Sequence, residues 1–227
     1  MPKREKIEVI DGVSTCMIQG NQVYAAMLES VDRGVGMIME RLEALGLAEN
    51  TLVIFTSDNG GESMRGAITS NEPLRYGKGW LYEGGIRVPL IIRGPGIKIP
   101  GRAVNDMSCS YDFFPTILEA AELPLRPDLH EDGMSLMPVV SGTGDIGRKA
   151  LYWNFPSGSE KGTGSSGAIR YKDMKLIQFF DTDRIQLFDL AQDIGERADL
   201  SAERPREANR LLSRLEAWRE DVNAQMP

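Results

Sequence analysis

A chain of 227 residues, 41% hydrophobic and 26% charged, has the composition of an ordinary globular protein. Its formal charge of -7 leaves no basic stripe to neutralise phosphates, which argues against a general nucleic-acid binder. No apolar run is long enough to cross a bilayer, and no apolar segment of signal-peptide type follows the charged start Met1-Pro2-Lys3-Arg4-Glu5-Lys6, so the chain as it stands is expected in the cytoplasm.

Residues 1–19 show no clear periodicity and read as a connecting arm. From Asn21, an N-cap residue type, apolar side chains recur at Tyr24, Met27, Val31, Val35, Ile38, Leu42 and Leu45, and Gly46 is a natural stop; this predicts an amphipathic helix. Leu52-Val53-Ile54-Phe55 then reads as a strand of a covered sheet, closed by Thr56-Ser57-Asp58-Asn59-Gly60-Gly61. An irregular glycine-rich stretch runs to Gly85, and Val88 to Arg93 forms a second strand. Asp112 is expected to cap a helix whose buried face is Phe113, Phe114, Ile117, Leu118 and Ala121, whereas 124–144 reads as loop.

The character changes near Arg148. Leu151 to Phe155, Ala168 to Tyr171, Met174 to Phe179 and Arg184 to Leu190 are short alternating strands, with Lys172-Asp173 as a hairpin turn. Helical spacing of Ala208, Leu211, Leu212, Leu215 and Trp218 closes the chain. The expected organisation is an α/β portion over 1–145, then a small antiparallel α+β domain over 146–227 with a long helix.

Asp58 and Asn59 stand at the carboxyl end of a strand, where open α/β sheets build ligand sites. A carboxylate and an amide on one turn suit a hard divalent cation such as calcium; the same residues also suit a plain Asx-turn. Lys78, between Gly77 and Gly79, can approach an oxyanion closely, or be an ordinary surface lysine. Glu83 and Arg87 read as a local ion pair at the Gly84-Gly85 turn. His130 sits in a polar loop, Asp181 and Asp183 read as turn carboxylates, and the stretch containing Lys161 lacks phosphate-cradle spacing. One histidine in the whole chain argues against a zinc cluster or a serine-protease triad. Cys16 and Cys109 lack metal-type spacing; the two could be bridged, but they read better as small packed hydrophobes.

In order and spacing, Thr51 to Gly61, Leu74-Arg75-Tyr76-Gly77-Lys78-Gly79 through Pro89, Tyr111 to Thr116, Asp132 to Leu136, and Leu187 to Leu190 with Asp193 and Glu196 resemble the sulfatase family of the alkaline-phosphatase-like superfamily. The resemblance implies that Asp58 and Asn59 are two of four protein ligands to a calcium ion and that Lys78 contacts the sulfate of an ester substrate. It also implies a formylglycine nucleophile, made from a cysteine or serine in a C/S-x-P/A-x-R motif.

That motif is absent. Met17-Ile18-Gln19-Gly20 follows Cys16, Ser110-Tyr111-Asp112-Phe113 follows Cys109, and no serine fits. The chain therefore resembles the carboxyl-terminal half of a sulfatase. It is expected to be inactive alone, with a complementary N-terminal half or a homo-oligomer as partner and no nucleic-acid or membrane partner. A non-catalytic binding or oligomerisation module is the alternative, as is half of a related phosphate or phosphonate ester hydrolase. Members of the family are often exported, so compartment stays open.

Overall fold

The computed structural model describes residues 6–64, 69–158 and 164–227. Strands β1 (Ile7–Ile10) and β2 (Val13–Cys16) form an antiparallel hairpin within the expected connecting arm. Its two-residue turn is Asp11-Gly12, with φ of 49° and 80°; left-handed conformations at both central positions match the twist of the flanking strands. The Asp-Gly pair was the available signal.

Helix α1 (Gln22–Ala44) begins as expected, with the Tyr24 N–H donating to Asn21 Oδ1 at 3.0 Å, and Gly46 closes it at φ 68°. The expected buried face is not buried, and none of its residues is enclosed. Strand β3 (Val53–Thr56) is followed by the single-turn α2 (Glu83–Ile86) and by β4 (Leu90–Arg93). After a 3-10 turn at Ser110–Asp112 come α3 (Phe113–Ala120) and α4 (Met137–Ser141). The latter lies inside the expected loop: Pro138 pre-sets its first turn and Gly142, at φ 73°, ends it. Strands β5 (Ala150–Phe155), β6 (Ser166–Tyr171), β7 (Met174–Phe179) and β8 (Arg184–Asp189) precede α5 (Pro205–Asp221).

The elements divide between two compact units. Unit 1 joins Met1–Met27, Ser57–Val88 and Ala150–Pro227. Its frame is the antiparallel sheet β5-β6-β7-β8. Side chains alternate along each strand, so Ile169, Leu176 and Leu187 face Ala208, Leu211 and Leu215 of α5. Their neighbours Ala168, Ile177 and Phe188 pack with Tyr76, Leu81 and Tyr82 from the glycine-rich segment. Both faces are therefore covered at the middle of these strands, where Ala168-Ile169, Leu176-Ile177 and Leu187-Phe188 are consecutive apolar pairs. Leu211 and Leu215 are fully enclosed, each worth about 1.5–3 kcal/mol.

Unit 2 comprises Leu28–Thr56 and Pro89–Lys149. Among the described residues, strands β3 and β4 pair only with each other, antiparallel, with Phe55 opposite Ile91. Leu90 and Ile92 turn toward a small core of Leu136, Val139 and Ile146. The covered strand expected at 52–55 is instead half-buried to exposed along β3. Asp112 does not cap α3 with its side chain. Its own backbone is already helical, so its carboxylate reaches back to the Cys109 N–H at 2.9 Å and pairs with Arg148.

Candidate functional site

The chain leaves β3 and turns through Ser57, Asp58 and Asn59. The Asn59 N–H donates to Asp58 Oδ1 at 3.0 Å, Ser57 Oγ donates to the Asn59 carbonyl at 2.9 Å, and Asn59 Nδ2 donates to the Gly60 carbonyl at 3.1 Å. This is an Asx-type turn. It leaves Asp58 Oδ2 and Asn59 Oδ1 without a hydrogen bond among the described residues, so the turn and a ligand role are compatible.

Two glycines then fasten the turn to the rest of the segment. Gly60 donates its N–H to the Gly85 carbonyl at 2.9 Å, so close to α2 that a Cβ on it would stand 1.7 Å from the Gly84 oxygen. The Gly61 carbonyl accepts the Lys78 N–H at 3.2 Å and Asn71 Nδ2 at 2.8 Å, while its N–H donates to Asn71 Oδ1 at 3.1 Å. Asn71 Nδ2 also reaches the Tyr76 carbonyl at 2.8 Å. Gly77 must be glycine for the same reason as Gly60, since a Cβ there would lie 2.0 Å from the Gly61 oxygen. The backbone of Lys78 thus hangs on the third residue after Asp58. Its side chain is exposed and makes no ion pair or hydrogen bond among the described residues.

Beneath this knot lies a buried charge cluster. Gly84 of α2 donates to the Arg75 carbonyl at 3.0 Å, and the Glu83 N–H donates to Glu196 Oε2 at 2.6 Å. Lys175 Nζ, on β7, lies 3.0 Å from Glu83 Oε1 and 2.8 Å from Glu196 Oε1. Arg87, expected as the partner of Glu83, stands further off at 3.6 Å, as does Arg170. Arg75 pairs with Asp11, donates to the Glu196 carbonyl, and lies 4.3 Å over the Tyr82 ring. Burial acts to raise the pKa of Glu83, but Lys175, Arg170 and Arg87 more than offset it and hold the carboxyl below its ordinary range. Glu196 goes the other way: burial raises it and Lys175 offsets only part.

Asp58, Asn59 and Lys78 all fall in unit 1, on segments hydrogen-bonded to one another. Asn71 and Lys175 were not legible as site-supporting residues. A lone asparagine in a glycine-rich stretch carries no spacing signal, and Lys175 occupies a polar position on an alternating strand that ordinarily faces water. His130 is a loop residue, its Nε2 accepting the Arg126 N–H at 3.2 Å. Asp183, at φ 50°, lies in the turn before β8, as expected. Lys161 lies outside the described residues. Among the described residues no three His, Cys, Asp or Glu side chains converge as a metal cluster. Asp58 and Asn59 fit a hard cation by donor type but give only two of the roughly six to eight oxygens calcium takes.

Known proteins resemble this chain along most of its length. The sulfatase family model matches residues 5–123, and the model for N-sulphoglucosamine sulphohydrolase, C-terminal, matches residues 72–221. A sulfatase of Formosa agariphila is 35% identical over 218 residues, covering 86% of this chain and 39% of its own length. Human arylsulfatase A is 40% identical over 147 residues, covering 64% of this chain and 28% of its own. The crystal structure of Ps i-CgsB superposes with a TM-score of 0.74 at 30% identity, over 86% of this chain and 42% of that one. The chain belongs to the sulfatase family. It spans about two fifths of the length of the Formosa relative, and its fold is part of a sulfatase-type α/β domain together with a small antiparallel sheet.

Proposed function

We propose that this chain carries part of a sulfuric ester hydrolase site, with Asp58 and Asn59 as ligands to a calcium ion and Lys78 as the sulfate contact. The observation that carries the reading is the Gly61–Lys78 backbone hydrogen bond, which ties the lysine to the Asp58-Asn59 turn. Hydrolysis of a sulfate ester needs charge on the sulfate oxygens to be held while the alcohol departs. An exposed ammonium on a glycine-braced segment can do that, and a fixed backbone lets it act without reorganising. The cation, when bound, supplies Lewis-acid polarisation of a sulfate oxygen.

Neither Cys16, Cys109 nor any serine lies in a formylglycine motif, so on this reading the nucleophile and the remaining cation ligands lie outside residues 1–227. On this reading the chain alone is inactive and works with a complementary N-terminal half; a homo-oligomer would repeat the same partial donor set. The test co-expresses the chain with the part of the Formosa agariphila sulfatase that it does not match. Turnover of an aryl sulfate should appear and fall about hundredfold or more in Lys78→Ala. Turnover indifferent to Lys78→Ala removes the proposed role, and preference for a phosphonate ester over the sulfate reassigns the substrate class.

A further inference from the structure

Arg219, in the last turn of α5, is a buried cation without a counter-ion. It is 8% exposed, and among the described residues it forms no ion pair. Its Nη2 donates to Gln178 Oε1 at 2.7 Å, and its guanidinium lies 4.8 Å over the Phe180 ring. Glu216, one turn earlier on α5, attracts it without pairing; burial is the larger influence and lowers the guanidinium's pKa. The sheet leaves a place for this group. Asn154, Gly167 and Gln178 form one cross-strand row on the α5 face of β5, β6 and β7, and a Cβ on Gly167 would stand 2.8 Å from Arg219 Nη2. Two buried atoms here have no hydrogen-bond partner among the described residues. One is a donor, Arg219 Nε, and the other an acceptor, Asn154 Oδ1, whose own amide nitrogen donates to the Gln225 carbonyl at 2.7 Å.

Buried charges in proteins are held by opposite charges, and the carbonyl end of α5 and the Phe180 ring offset only part of the cost. One buried water would serve both orphaned atoms, accepting from Nε and donating to Asn154 Oδ1, but would leave the charge uncompensated. We propose that Arg219, seated over Gly167 and steadied by Gln178, binds one small anion of halide size from solution on the α5 face of the small sheet. The enclosure is narrow, because Nε is closed to solvent and no Cβ fits at Gly167, so a single-atom ion suits it better than a polyatomic one. The remaining exposure of Arg219 is the way in. A water in the ion's shell can donate one O–H to the ion and the other to Asn154 Oδ1. Bound there, the anion braces the sheet against the end of α5. No residue of the Asp58 to Lys78 segment takes part, so the outcome bears on this site and not on the function proposed above.

The probe is chloride. Thermal midpoints of the chain are followed as sodium chloride replaces sodium gluconate at constant ionic strength. The parent should gain about 2–4 °C and then level off, as one saturable site requires. Arg219→Met keeps an apolar stem and removes the charge; it should lose the whole of this gain and be at least as stable as the parent in gluconate. Arg206→Met, at an exposed position of α5, should keep the gain. Chlorine-35 line broadening by the folded parent reads the ion directly, whether or not the Arg219 variant folds, and should saturate over the same chloride range. Absence of saturable broadening overturns the inference and leaves the two orphaned atoms to a water. So does a gain of equal size in Arg219→Met, which is a general salt effect.

Discussion

Lys175 Nζ lies 3.0 Å from Glu83 Oε1, 92 residues away in sequence, and neither side chain is reached by solvent. A buried ammonium must be compensated on the spot, and Glu83 with Glu196 does so. Because Glu83 opens α2, whose Gly84 and Gly85 hold Arg75 and Gly60, the small sheet anchors the segment that carries Lys78. Lys175→Met leaves two buried carboxylates facing each other, and we expect a loss of about 3–5 kcal/mol by urea denaturation. Glu196→Gln keeps an oxygen for the Glu83 N–H and leaves the Lys175–Glu83 pair intact, so it should cost clearly less than Glu83→Gln.

Stability should depend on pH through both carboxyls, with opposite signs. Glu83 is held below its unfolded value, so its contribution is present above that value and is lost as pH falls through the lower folded one. Glu196 is raised, so its contribution is present below its unfolded value and is lost as pH rises through the higher folded one. Urea midpoints between about pH 3 and about pH 6 should show Glu83→Gln losing less stability on acidification than the parent chain. In Glu196→Gln the decline on the rising-pH side should flatten.

Glycine substitutions should separate close approach from mere propensity. Gly77→Ala drives a Cβ to 2.0 Å from the Gly61 oxygen and should cost about 1–3 kcal/mol. Gly36→Ala, in α1 with nothing within 4 Å, should gain about 0.5–1 kcal/mol. Thermal midpoints of the two variants, moving in opposite directions, check both.

Cys109 should be a poor nucleophile. Burial pushes its thiol up to about 12. In a Cys16→Ser background, alkylation by iodoacetamide at pH 8 should run about a thousandfold slower than for an ordinary exposed thiol, following thiolate fraction. Fast labelling would show the thiol is more open than its packing beside Tyr111 and Arg148 implies.

Much of this architecture is legible in local pattern. Alternation of Ile169, Leu176 and Leu187 with Ala168, Ile177 and Phe188 marks the sheet, and Asn21 and Gly46 bracket α1, because each rests on neighbours within a few residues. The turn at Asp58-Asn59 and the glycine pair around Lys78 are equally local. What escaped reading is long-range. Nothing near Lys175 announces that Glu83 and Glu196 enclose it, and nothing near Asn71 announces that it clasps Gly61 and Tyr76. The periodicity of α1 marks an apolar face without saying whether this chain covers it.

The most direct test is to incubate the purified chain, without any other polypeptide, with an aryl sulfate and excess calcium. Absence of alcohol release above the uncatalysed rate is expected, because the proposed site of Asp58, Asn59 and Lys78 is partial and no formylglycine motif lies within residues 1–227. Steady turnover by the chain alone, abolished by Lys78→Ala, would contradict it.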